Sequence, residues 1–104
     1  MAQISSVIFL FLINLNFSYA GMKDLRSNFE AGKYQEVISN SKKMSVNNLS
    51  SSDLNLVASS FFRLEKKKEA AFYFFLGLKK DPFNSELLYN FNLAAGESID
   101  VTRD

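Results

Sequence analysis

From Met22 to Ala95 the apolar residues recur at intervals of three and four, and no strand-like alternation competes with that spacing. Met22, Leu25 and Phe29 follow i, i+3, i+7, and Tyr34, Val37, Ile38 and Ser41 follow i, i+3, i+4, i+7. Leu54, Val57, Ala58 and Phe61 repeat the pattern. Ala70, Ala71, Phe74 and Leu78 form a further face, and Leu87, Leu88, Phe91 and Ala95 the last. An α-helix brings residues at this spacing onto one side, so each run predicts an amphipathic helix and the chain an all-α fold.

The breaks between the runs carry their own chemistry. Gly32 interrupts the first. Residues 45–52 (SVNNLSSS) form a polar linker with several possible N-caps ahead of Asp53. Lys66 to Lys68 mark a tight turn and a solvated helix start. Asp81-Pro82 ends the fourth run, because Pro disfavours the helical conformation of the residue before it. Asn84 can cap a last helix, with Glu86 well placed in its first turn. Residues 97–104 are expected to be a polar C-terminal tail, outside a helical domain spanning 21–96.

Residues 1–20 stand apart, since all the charged side chains lie after Ala20. Val7 to Ile13 is an unbroken apolar run. Even Ile4 to Phe17, drawn as a helix, spans about 21 Å, short of the roughly 30 Å hydrocarbon core of a bilayer. Ser18-Tyr19-Ala20 places small residues where a signal peptidase reads, so the segment is expected to be a signal peptide cleaved after Ala20. Its start lacks Lys and Arg, which departs from the usual pattern; an uncleaved anchor and a buried N-terminal helix are the other readings. The expected location is periplasmic or secreted, by Sec-type export from a bacterial cell.

With no Cys and no His, the chain has no thiol chemistry, no imidazole base and no common zinc or haem ligand. Twelve basic residues are interspersed with eleven acidic ones, unlike the basic footprint of a nucleic-acid binder. Asp53, Glu65, Glu69 and Glu86 read as helix-start or surface charges. No phosphate-binding loop, calcium loop or nucleophile motif is present. Composition therefore points to binding rather than catalysis, with no cofactor and no metal.

Taken from Ser51, the chain resembles the tetratricopeptide-repeat (TPR) family, whose unit is a helical hairpin with a period near 34 residues. Leu54, Val57, Ala58 and Phe61 match the first helix's core positions. Ala70, Phe74 and Gly77 match the small, large and small positions of the second, and Pro82 matches the closing Pro. "FEAGKYQEVI" resembles the turn of an earlier repeat, with Val37 in place of the usual Ala and Ser41 in place of a large apolar residue. Residues 85–96 supply a third first helix or a cap. More narrowly, "LLYNFNLAAG" after an Asp-Pro helix end is similar to the small TPR proteins of bacterial aerotolerance gene clusters. The resemblance implies a short stack of antiparallel helical hairpins, about 2.5 repeats long.

It also implies a concave groove lined by the first helices, here Arg26, Asn55, Ser59, Phe62, Arg63, Tyr89 and Asn90, to receive an extended peptide of a protein partner. The carboxylate clamp of chaperone-tail-binding members falls on Met22, Arg26, Leu56, Glu86 and Asn90, of which only Arg26 and Asn90 suit it. An ordinary solvated helix surface would present the same residues. On the other side, AAFYFFLGL (residues 70–78) is apolar nearly all round, and the resemblance puts Phe72, Phe75 and Leu76 on the convex surface. Three large apolar side chains there would make a patch of a few hundred Å². The N-terminal helix, the tail, a second copy, another protein or a membrane surface could cover it. A stack this short is marginal alone, which favours an assembled state.

Overall fold

The computed structural model describes residues 25–103, with side chains described as far as Glu97; the expected signal peptide and Met22 lie outside the described residues. The described chain is all-helical. Helix α1 covers residues 25–30, followed by α2 (Tyr34–Lys42), a short 3-10 turn (Val46–Asn48), α3 (Ser51–Arg63), α4 (Lys67–Lys80) and α5 (Ser85–Arg103). Each α-helix from α2 on packs against the next, and α3 also touches α5.

Side-chain contacts fix the directions. Leu54, near the start of α3, lies against Gly77, near the end of α4. At the other end of that pair, Lys67 at the start of α4 sits over the Phe62 ring. The two helices are therefore antiparallel. In the same way Leu87, in the first turn of α5, meets Gly77, whereas Glu97, far along α5, bonds Lys67. Thus α4 and α5 are antiparallel too, and α3 and α5 run side by side in the same sense.

The turns between helices explain this geometry. After α1, Gly32 takes a left-handed φ of 77°. The Lys33 N–H donates to the Asn28 carbonyl (2.7 Å) and the Gly32 N–H to that of Phe29 (3.0 Å). After α3, Glu65 takes a φ of 64°. The Lys66 N–H donates to Phe61 O (2.9 Å) and the Glu65 N–H to Phe62 O (3.0 Å). Both are Schellman caps, which satisfy carbonyls that the ending helix leaves orphaned. One uses the residue type that reaches φ > 0 without strain, and the other does not.

Helix starts are equally specified. Ser50 Oγ accepts from the Asp53 N–H and Asp53 Oδ2 from the Ser50 N–H, both at 3.0 Å, a complete capping box for α3. Asn84 Oδ1 accepts from the Leu87 N–H (3.0 Å), while its amide donates to Asp81 Oδ2 (3.1 Å). Asp81-Pro82 does end α4 at Lys80.

Three features depart from the sequence spacing. The polar linker contributes a core residue, Leu49, which is 2% exposed. The linker is tied down by the Lys80 ammonium, which donates to the carbonyls of Val46, Asn47 and Leu49. Among the described side chains of α5 the buried ones are Leu87 and Ala94, with Phe91 packed beside them, while Leu88 is 49% exposed. Leu87 enters the space left open at Gly77, and Leu88, the next residue, faces outward. Finally, α5 runs on to Arg103, through the segment expected as a tail. Gly96 has no neighbour that would meet a Cβ and does not break the helix.

The pair of Schellman turns yields a matched prediction. Nothing lies within 4 Å of a Cβ built at Gly32, so its replacement is a pure backbone test. Gly32→Ala is expected to lower unfolding free energy by about 1 kcal/mol, and Glu65→Gly to raise it by up to about 1 kcal/mol. Chemical denaturation followed by circular dichroism checks both signs.

Candidate binding groove

Because α1, α3 and α5 share one side of the fold, their outward residues form a trough. Two cavities lie along it. The larger, about 460 Å³, is lined by Phe29, Ser59, Phe62, Arg63, Glu65, Phe74, Asn90 and Leu93. The smaller, about 350 Å³, is lined by Arg26, Phe29, Glu30, Ser51, Ser52, Asn55, Leu56, Ser59, Asn84 and Glu86. Phe29 and Ser59 belong to both, so the cavities adjoin. The trough is aromatic and aliphatic at one end and polar at the other.

The amides of Asn55 and Asn90 link α3 to α5. The Asn90 amide donates to Asn55 Oδ1 and the Asn55 amide to Glu86 Oε1, each at 3.1 Å. A neutral carboxamide has two donors and an acceptor with two lone pairs. The ladder therefore fixes the orientation of both amides and still leaves Asn90 Oδ1 able to accept a hydrogen bond from a ligand.

Around the larger cavity the charges are unequally engaged. Lys67 bonds Glu97 Oε2 at 2.7 Å and Glu65 Oε2 at 3.2 Å, and its ammonium stands 5.8 Å from the centre of the Phe62 ring. The Glu97 carboxylate first, and Glu65 second, hold Lys67 above its ordinary pKa. This joint ties the α3–α4 turn to α5. Arg63 and Arg26, by contrast, have no ion-pair partner among the described residues. Nor do three carboxylates stand together there in a group that could hold a metal ion.

Of the residues expected in the groove, Asn55, Ser59 and Arg26 line the polar cavity, while Ser59, Phe62, Arg63 and Asn90 line the apolar one. Tyr89 lines neither and is 68% exposed. Of the clamp positions, Arg26, Leu56 and Glu86 line the polar cavity and Asn90 the other, with the Glu86 carboxylate already accepting from Asn55. Phe29, whose spacing marks it as a core-face residue, and Leu93 complete the apolar end, and neither is among the residues expected in the groove. Their helical spacing suits a core residue as well as a groove residue, and only the packed position separates the two. Phe29 is held there by an edge contact with Tyr34, ring centres 5.5 Å apart. On the opposite surface Phe72 and Phe75 are each 50% exposed, whereas Leu76 is half-buried against the core.

Compared with known proteins, the chain matches no family model, no curated protein and no solved structure.

The amide ladder makes a charge-sensitive prediction. Asn55→Asp replaces the donor to Glu86 with a second carboxylate. A carboxylate in place of the donor leaves Glu86 Oε1 without its partner and sets like groups side by side, so the variant is expected to lose about 0.5–1 kcal/mol of stability. Denaturant midpoints of the variant against the parent chain give the comparison.

Proposed function

We propose that the chain is an exported interaction module of the TPR type, which binds an extended peptide of a partner protein in the groove between α1, α3 and α5. One observation carries the reading: two adjoining cavities, apolar then polar, on the face made by alternate helices. Support comes also from periodicity. Helices α3 and α5 begin at Ser51 and Ser85, a separation of about 34 residues, the length of the family's unit. The same cap recurs at Gly32 and Glu65.

The chemistry of the trough suggests a division of labour. One large apolar side chain enters the space between Phe29, Phe62 and Leu93, above the Phe74 ring. Such a space suits a single anchor, because burial of one large side chain yields about 1.5–3 kcal/mol. The adjoining backbone lies toward Asn90 Oδ1 and Ser59, which can pair with peptide N–H and C=O groups. Arg63 at the rim favours a carboxylate beside the anchor. Nothing in this arrangement is suited to bond-breaking, and the activity proposed is recognition. Export rests on the charge-free first twenty residues.

Selection of peptides from a random displayed library tests the groove. The expected winners share one aromatic or large aliphatic residue. Phe62→Ser and Ser59→Arg, each with unchanged helicity, should weaken their binding about tenfold or more, equivalent to roughly 1.4 kcal/mol. Winners that bind both variants as tightly as the parent would count against the groove. Amino-terminal sequencing of the exported protein should begin at Gly21; an intact Met1 would rule out cleavage.

A further inference from the structure

Helix α4 turns a second surface outward, and its pattern is regular. Lys68, Phe72, Phe75 and Lys79 follow i, i+4, i+7, i+11, so they form one stripe along the helix. The Lys79 ammonium stands 5.9 Å from the centre of the Phe75 ring. Phe75 in turn meets Phe91 of α5, ring centres 6.2 Å apart. Leu88, one turn before Phe91, is half exposed and widens the patch. Neither groove cavity includes any of these residues. Two aromatic rings and a leucine thus lie in the open between two lysines. By helical rise those lysines are about 16 Å apart.

Charge decides what can cover such a stripe. Neither lysine has a carboxylate within ion-pair distance among the described residues. Glu69, exposed one turn before Phe72, is the acidic neighbour on this helix. Lys80 is engaged with the linker carbonyls. The order Lys-Phe-Phe-Lys reads the same in both directions. A second copy laid on it, parallel or antiparallel, brings lysine onto lysine, and a two-fold interface needs the opposite, self-complementarity. The covering partner is therefore acidic at both ends and apolar between. Shape narrows it further. The stripe is a helix ridge, and a bound peptide wants a groove to bury its side chains. A fluid anionic lipid surface makes no such demand: the rings enter the headgroup boundary and the lysines stay with the phosphates.

We infer that the Lys68-Phe72-Phe75-Lys79 ridge, with Phe91 and Leu88 beside it, docks the folded domain on an anionic lipid surface. No helix among the described residues is long and apolar enough to cross a membrane, so the contact is with the face of the bilayer. The site is distinct from the peptide groove, and each stands or falls without the other.

The sequence contains no Trp, so Phe75→Trp in the full chain introduces a single local reporter. This matters because residues 1–20 have an apolar run of their own, and whole-chain partition would mix the two. Mixed phosphatidylcholine–phosphatidylserine vesicles should shift the indole emission to the blue, while vesicles of phosphatidylcholine alone should not. In that background Lys68→Gln with Lys79→Gln should weaken the response about tenfold or more, and the double Arg exchange should restore it. Phe72→Ser should weaken it about fivefold; the lysine pair stands as the second arm should that variant unfold. Four outcomes overturn the inference: emission that does not move, an equal shift on neutral vesicles, a shift that grows with protein concentration in the absence of lipid, or a shift given by an acidic amphipathic peptide and not by vesicles. The third would identify a second copy as the occupant, and the fourth a protein.

Discussion

The missing side chain at Gly77 sets how closely three helices approach. A Cβ there would stand 3.1 and 3.2 Å from the two Leu87 methyl groups and 3.6 Å from Leu54 Cβ. Glycine inside a helix costs about 1 kcal/mol relative to alanine. Leu54 and Leu87 are both buried over it, and each fully buried leucine is worth about 1.5–3 kcal/mol. Packing outweighs propensity. Seating Leu87 then fixes the rotation of α5: Phe91 and Ala94 face inward, Asn90 and Leu93 reach the trough, and Leu88 and Tyr89 face out.

The groove depends on that arrangement more than on its own hydrogen bonds. The Asn55–Glu86 and Asn90–Asn55 bonds are partly exposed, and a net contribution of about 0.5–1.5 kcal/mol each could not hold two helices together. They select one side-chain orientation within a spacing the core already imposes. The Lys67 joint acts at the far end in the same way. Its two carboxylates lie on the α3–α4 turn and on α5, so it restrains the end of the trough where the aromatic wall stands. Burial supplies the rigidity, and polar contacts supply the register.

Periodicity made the all-helical fold legible, because the interval of three and four is a direct image of helix geometry. The cap residues and Asp81-Pro82 were legible for a similar reason: their chemistry is local. What was hidden depended on contacts distant in sequence. Leu49 lies among Ser and Asn residues, and nothing nearby says that Lys80, from another helix, will anchor the linker and let that leucine turn inward. Leu87 and Leu88 are adjacent and alike, so the choice between them belongs to Gly77. Phe29 had the spacing of a core residue and serves also as groove wall. The length of α5 was hidden by Gly96 and a polar composition, both of which a helix tolerates when nothing stops it. Most of the residues expected in the groove line one of the two cavities, whereas Tyr89 lines neither: helical spacing gives the side of the helix, while the distance to the neighbouring helix decides whether a side chain lines a cavity.

Helix α4 shows why a fold of this kind can carry two surfaces. Ala70, Phe74 and Gly77 are its buried residues, at i, i+4 and i+7, and Tyr73 adds a stacked contact with Phe61, ring centres 5.2 Å apart. Those positions satisfy the core. Phe72 and Phe75 lie off that line and leave half their surface in water, where a lysine or glutamine would serve the helix as well. Single exposed apolar residues are ordinary on protein surfaces. Two on successive turns, joined to Phe91 and bracketed by lysines, form a continuous feature that folding does not require. Phe74 lines the larger cavity of the trough, so the two surfaces share a helix without sharing a side chain. Occupying one would leave the other open.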